Sequence, residues 1–250
     1  MGMANNNWAS GPGRRQKILV VIPAYNEEAT ILSVIEAVRA VQIPLDILVV
    51  NDASTDKTAN LVRSQDVILL DLPINLGIGG AMQTGFLYAV KRAYDIVVQV
   101  DGDGQHDPAY IPQFIQKLDD GADIAIGSRF CDQSHRSFRS TFLRRIGIRF
   151  FRGIIYLFSN QRISDPTSGF RALNRNAFEL FARSYPQEYP EPESLLLAFG
   201  HALSVREIPV VMFCRQQGAS SITALKSIYY MIRVTLGMLV FASHLRNRLK

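Results

Sequence analysis

The chain has 250 residues, 48% of them apolar and 20% charged. That balance fits one large or two small globular domains and excludes a disordered, collagen-like or disulfide-stapled protein. The formal net charge of +5 conceals an asymmetry: Lys17–Ser128 holds seven Lys/Arg against fifteen Asp/Glu, Arg129–Arg152 seven arginines and one acid, and His201–Lys250 seven bases and one acid. An acidic first half suits a cation site, and a basic second half suits an anionic ligand. No nucleic-acid motif accompanies the arginines, so nucleic acid is not the expected anion. Cys131 and Cys214 have no metal-ligand spacing, which argues against structural zinc.

Residues 1–16, Asn/Gly-rich and without an apolar run, read as a disordered leader with no secretory signal. Lys17–Ile22 (KILVVI) is a continuous apolar run stopped by Pro23, the pattern of a buried strand. Ile31, Val34, Ile35 and Val38 fall at helical spacing within Ala29–Val41, with Glu27 and Glu28 near its start, where the helix dipole favours acids. Leu45–Val50 predicts a second strand, Asp56–Arg63 a short helix capped by Ser54 or Thr55, and Val67–Asp71 a third strand. A helix follows the glycines of Gly77–Gly80. It is interrupted by too many polar and glycine residues to cross a membrane. Asp95–Val100 predicts a fourth strand, Pro112–Leu118 a helix and Ile124–Ser128 a fifth strand. This alternation implies right-handed crossovers and a mainly parallel sheet with helices on both faces, whose ligand edge lies at the strand carboxyl ends.

The second half is less regular. Thr141–Phe158 reads as a basic amphipathic helix, Arg175–Phe181 as a short helix and Leu203–Met212 as an edge strand. Ile222–Leu245 is long and apolar along one stripe, but Lys226 and Arg233 argue against a membrane span. It fits a helix lying on a bilayer surface, or one packed on the sheet or on a partner subunit. The expected division is a leader over 1–16, one α/β domain over 17–220 and a C-terminal amphipathic helix over 221–250.

The chemistry concentrates at three strand ends. Asp101-Gly102-Asp103-Gly104-Gln105-His106-Asp107 places two carboxylates one residue apart after a buried strand, hard oxygen ligands suited to Mg²⁺ or Mn²⁺ on a diphosphate. The first strand ends in Pro23-Ala24-Tyr25-Asn26-Glu27-Glu28 and the second in Asn51-Asp52-Ala53-Ser54-Thr55-Asp56. Convergence of the three on one nucleotide explains them better than three unrelated turns. Tyr25 would cover a ring and Asp52 would bond a ribose or base. His106 is expected to pack or bond behind the site rather than to act in catalysis.

With these pieces the chain resembles the inverting family 2 glycosyltransferases of the GT-A fold, and within them the dolichyl- and polyprenyl-phosphate sugar (mannose or glucose) synthases. The matching stretches are IPAYNEE (Ile22–Glu28), VNDASTDKT (Val50–Thr58), NLGIGGAMQTGF (Asn75–Phe86), DGDGQHDP (Asp101–Pro108), GSRF (Gly127–Phe130) and DPTSGFRALNR (Asp165–Arg175). The resemblance implies a Rossmann-like, mainly parallel sheet and a metal-dependent hexosyltransferase. Pro23, Tyr25, Glu27 and Asp52 would hold the nucleoside, and Gly77 and Gly79 would lie against the nucleotide. Asp101, Asp103 and Gln105 would hold the metal on the diphosphate. Arg129 and Arg149 would bind an acceptor phosphate, a task that suits the guanidinium fork. Asp165 and Glu193 are the carboxylates for base or orienting work. Arg215 would close on the donor, although the lysine that many members carry after the serine is missing and Ser221 is followed by Ile222.

The implied partners are a UDP-, GDP- or dTDP-linked sugar and a polyprenyl phosphate, with the enzyme peripheral at the cytoplasmic face of the membrane. A membrane-protein partner or a homo-oligomer is compatible with the apolar C-terminal helix. The segment Tyr189-Pro190-Glu191-Pro192-Glu193 departs from the lipid-phosphate pattern. It leaves open an alternative acceptor, a sugar hydroxyl of a cell-surface polysaccharide, which would need a base. A non-catalytic nucleotide-sugar-binding subunit is the third reading, and the intact carboxylates argue against it.

Overall fold

The computed structural model describes residues 15–131, 142–187 and 190–213. The expected leader up to residue 14, the Ile222–Leu245 helix and Arg215 lie outside them. The elements run β1 (Ile18–Ala24), α1 (Ile31–Arg39), β2 (Asp46–Asn51), α2 (Thr58–Arg63), β3 (Ile68–Asp71), α3 (Gly77–Lys91), β4 (Ile96–Gln99), α4 (Ile111–Asp119) and β5 (Ile124–Ser128). There follow α5 (Phe142–Ser159), β6 (Arg171–Asn174), α6 (Arg175–Arg183), α7 (Pro190–Gly200) and β7 (Val205–Pro209).

The seven strands form one sheet in the order β3-β2-β1-β4-β6-β5-β7. All neighbouring pairs are parallel except those of β6, which runs antiparallel between β4 and β5. This is the expected mainly parallel α/β architecture. Successive strand residues point to opposite faces and so divide the core in two. Leu19, Val21, Leu48, Val50 and Val97 pack with Phe86 of α3, Phe151 of α5, Phe178 of α6 and Leu196 of α7. Val20, Ile22, Val49 and Val98 pack with Ile31 and Ile35 of α1 and Phe114 of α4. Each such side chain contributes about 1.5–3 kcal/mol when fully buried. The β-branched runs are thus buried on both sides, which is why they read as unbroken rather than alternating.

Two expectations shift, and two features come from the structure alone. The helix expected from Asp56 starts at Thr58, and neither Ser54 nor Thr55 caps it. Asp56 Oδ1 instead accepts the Thr58 amide (2.9 Å) and hydroxyl (2.5 Å), while Ser54 and Thr55 bond Asn26 at the end of β1. The edge strand is confined to Val205–Pro209, where β5 offers a partner. The proline-rich YPEPE stretch is helical from Pro190 on, because proline is tolerated in a first helical turn and Glu191 and Glu193 complement its dipole. β6 has no apolar run to announce it, being four residues long and opening on Arg171. Among the described residues, no helix is long and apolar enough to cross a membrane.

Candidate active site

The antiparallel course of β6 decides what meets at the ligand edge. Gln99, the last residue of β4, pairs with Arg171, the first of β6. The loop Asp165–Phe170 therefore arrives at the edge where β1, β2, β4 and β5 deliver their carboxyl ends.

On the side of β1 and β2, Asp52 is 4% exposed. Its amide donates to Ala24 O (2.9 Å) and its Oδ1 accepts the Leu76 amide (2.7 Å). Asn75 Nδ2 donates to the Asp52 carbonyl at 3.1 Å. Asp52 thus ties β1, β2 and the start of α3 together. Tyr25 is 48% exposed and Pro23 is buried in β1, while Glu27 lies beside the 101–103 loop. A Cβ on Gly102 would come within 3.1 Å of Pro23 O and 3.4 Å of Glu27 Cγ. Gly77 and Gly79 face a different neighbour. A Cβ on Gly79 would lie 2.3 Å from the carbonyl oxygens of both Pro186 and Gln187, and the Gly79 amide donates to Gln187 O at 3.1 Å. These glycines admit the loop that leads into α7.

Beyond β4, Asp101 Oδ1 accepts from Gln99 Nε2 at 3.1 Å, and Asp103 Oδ1 accepts the Gln105 amide at 3.0 Å. Gly104 turns the loop back with φ of +75°. The Gln105 carbonyl accepts the Phe213 amide at 2.9 Å. A Cβ on Gly169 would stand 2.9 Å from Gln99 Nε2 and 3.2 Å from Asp101 Oδ2, so glycine there leaves room for the Asp101 carboxylate. Among the described residues no three His, Cys, Asp or Glu gather as a complete metal cage. Two carboxylates and an amide do fit Mg²⁺ or Mn²⁺, which commonly keep places for substrate phosphates and water.

After β5, Arg129 grips Asp165 as a fork, Nε to Oδ2 at 2.6 Å and Nη2 to Oδ1 at 2.8 Å, with side chains 5% and 0% exposed. Thr167 Oγ1 also donates to Asp165 Oδ1 (3.1 Å), and Glu207 of β7 accepts the amides of Ser164 (2.7 Å) and Asp165 (2.8 Å). Asp165 is therefore committed to holding Arg129. Arg149 is exposed on α5, and Glu193 is half-buried in the first turn of α7.

The sequence reading did not single out Arg171, which is 2% exposed. Its guanidinium donates to the carbonyls of Ser168 (2.7 Å), Pro166 (3.3 Å) and Glu191 (2.8 Å) and to Ser194 Oγ (2.8 Å). It joins the Asp165 loop to the start of α7. Burial pushes the nearby Glu191 carboxyl above the usual carboxylate range, with the Arg171 charge opposing the rise. Burial likewise pushes the Tyr185 hydroxyl up. The only visible signal for Arg171 was its place in the DPTSGFR stretch; that it opens a strand was not legible. Its partners, Ser194 and the Glu191 carbonyl, lie some twenty residues further on.

The family profile described as Glycosyl transferase family 2 matches residues 19–181, and the chain belongs to that family and is a glycosyltransferase. It is similar to a polyprenol monophosphomannose synthase of Mycolicibacterium smegmatis, 29% identical over 83% of this chain and 82% of that one. It is also similar to a UDP-N-acetylglucosamine–dolichyl-phosphate N-acetylglucosaminyltransferase of Methanococcus voltae, 26% identical over 88% and 96%. Among solved structures, glucosyl-3-phosphoglycerate synthase of Mycobacterium tuberculosis, crystallised with Mn²⁺, UDP-glucose and phosphoglyceric acid, superposes with a TM-score of 0.68. The match has 22% identity and covers 91% of this chain and 80% of that one, a shared GT-A fold.

Proposed function

We infer that this glycosyltransferase moves a hexose from a nucleotide sugar to a polyprenyl phosphate, with inversion at the anomeric carbon and with Mg²⁺ or Mn²⁺. The observation that carries the reading is the meeting of a carboxylate pair and a held guanidinium at one edge. The Asp101–Asp103 carboxylates stand at the end of β4 and the Arg129–Asp165 fork at the end of β5, with only β6 between them. Two strand spacings are about 10 Å, the scale of a diphosphate, a sugar and an acceptor phosphate in line. The names of the polyprenyl- and dolichyl-phosphate relatives support the acceptor class.

In this reading Pro23, Tyr25, Glu27 and Asp52 hold the nucleoside, and Gly77 and Gly79 shape its floor through the 186–187 loop. Asp101, Asp103 and Gln105 would hold the divalent cation, which when bound would offset the charge developing on the departing diphosphate. Arg129, held by Asp165, positions the acceptor phosphate, with Arg149 as a further acceptor-phosphate ligand and Arg215 closing on the donor. An acceptor phosphate oxygen forms a bond to C1 of the sugar while the bond from C1 to the diphosphate oxygen breaks, its electron pair leaving with the nucleoside diphosphate. The nucleophile is already an anion, so alignment replaces a base. This agrees with an Asp165 carboxylate whose two oxygens are taken by a guanidinium.

A second reading rests on α7. Arg171 anchors its first turn, which carries Glu191 and Glu193, at the same edge. If the acceptor is a sugar hydroxyl, Glu193 is the base. Incubation with UDP-, GDP- and dTDP-sugars, Mn²⁺ and either undecaprenyl phosphate or a soluble glycan decides between them. Mass-spectrometric detection of a glycosylated lipid phosphate is the expected result, and transfer to the glycan alone overturns it. Asp103→Ala should fold and still lower Mn²⁺-dependent transfer by about a hundredfold or more, the scale of losing a group that stabilises the transition state. Near wild-type transfer by that variant would remove the metal from the reading.

A further inference from the structure

His106 is buried directly behind the carboxylate pair, its side chain 4% exposed, and both of its ring nitrogens face the same residue. Its Nδ1 accepts the backbone amide of Asp101 at 3.1 Å. An acceptor nitrogen carries no proton, so in the neutral ring the proton sits on Nε2. That nitrogen lies 3.5 Å from Asp101 Oδ2. The ring is fixed independently, stacked on Phe170 with centroids 4.7 Å apart and 12° between planes, and Phe170 in turn meets Phe114 edge-on at 4.6 Å. Gln99 holds the other carboxylate oxygen, and Gly169 lines the remaining side.

We propose that His106 is a positioning residue that presets the Asp101 carboxylate for a divalent cation, accepting the Asp101 amide at Nδ1 and holding Nε2 3.5 Å from its Oδ2. The sharp return of the loop at Gly104 makes this possible, since it brings a side chain five residues on back over Asp101. Phe170 supplies the orientation from the neighbouring strand loop. The carboxylate enters the site with its rotation already set, so binding the cation does not have to order it. Groups of this kind behind a metal ligand change affinity or activity by about 10–100-fold when removed.

The proposal rests on the metal reading above, and three substitutions with three measurements separate the two. His106→Phe keeps a ring on Phe170 and removes both nitrogens. His106→Gln returns a donor near the Nε2 position, and His106→Asn an acceptor near the Nδ1 position. In nitrogen-15 NMR of the wild-type protein without metal, His106 should show a protonated Nε2 and a bare Nδ1. Calorimetry with Mn²⁺ should show affinity reduced about tenfold or more in His106→Phe and recovered to within about threefold in His106→Gln. His106→Asn should not recover it. Thermal melting is measured alongside, because a merely structural ring would lower the melting temperature of every variant without moving Mn²⁺ affinity. A proton on Nδ1, or Mn²⁺ binding by a folded His106→Phe within twofold of wild type, overturns the proposal and leaves the metal reading standing. Failure of the wild-type protein itself to bind Mn²⁺ overturns both.

Discussion

At Asp165 two distant stretches of chain close on one buried residue: Arg129 after β5 grips its carboxylate, beside Thr167 of its own loop, and Glu207 of β7 accepts its amide. Removing one partner of a buried ion pair leaves an uncompensated charge, which costs about 3–5 kcal/mol. Asp165→Ala should lose stability on that scale in urea denaturation, and Asp165→Asn less, since the amide still offers one acceptor to the fork. A cost near zero for Asp165→Ala would show that the pair does not hold the loop. The roles that residue types announce at this scale are the short-range ones. Asp101 and Asp103 are legible because their spacing, glycines and preceding strand all lie within nine residues. The commitment of Asp165 to Arg129 is not legible, because it links residues 36 apart.

Helix α7 and the start of α3 are set against each other through the 186–187 loop, and glycine makes the approach possible. Gly79→Ala would drive a Cβ to 2.3 Å from two carbonyl oxygens that belong to backbone and have no flexible end to yield. Overpacking of this kind costs about 1–3 kcal/mol. A measured loss near the upper figure with a shifted donor KM is the expected result, and an unchanged melting curve would contradict the contact. At the first turn of α7, Glu191 is held above its ordinary carboxyl range mainly by burial. A group whose folded pKa is raised contributes its stability below the unfolded value and loses it as pH rises through the folded one. Glu191→Gln should therefore gain stability over wild type as pH rises above 4.5, with the difference vanishing in more acid solution. Equal stabilities of the two proteins at pH 4 and pH 8 would show that burial does not penalise the charge. Proline-rich YPEPE gave little sign of a helix because proline usually breaks one, yet a first turn needs no amide donors and so tolerates its prolines.

Over the whole molecule, α5 buries Ile148, Phe151 and Ile155 against the core and turns Phe150 and Leu157 outward, with Arg149 and Arg152 exposed along its length. Leu157 is 76% exposed. A second apolar stripe flanked by arginines fits the surface of an anionic membrane, where each base near the lipid contributes about 1 kcal/mol and salt screens it. The protein should co-sediment with vesicles containing phosphatidylglycerol at low salt and release partly as salt rises. Leu157→Asp should weaken that binding without lowering the melting temperature. Undiminished sedimentation by Leu157→Asp would remove α5 from the contact.

The sequence by itself determined the layered α/β architecture and which strand ends gather polar residues. Buried parallel strands must be continuous apolar runs, and a carboxylate pair with its glycines is local. Only the tertiary structure decided that β6 runs against its neighbours, and so which loops face one another. A four-residue strand opening on Arg171 has no hydrophobic period of its own. Its direction is set by pairing with β4 and β5, long after β4 in the chain. The same pairing brings Phe170 beneath His106 and Gly169 beside Asp101. Residue types name the groups at the site, and the pairing of distant strands determines which of them touch.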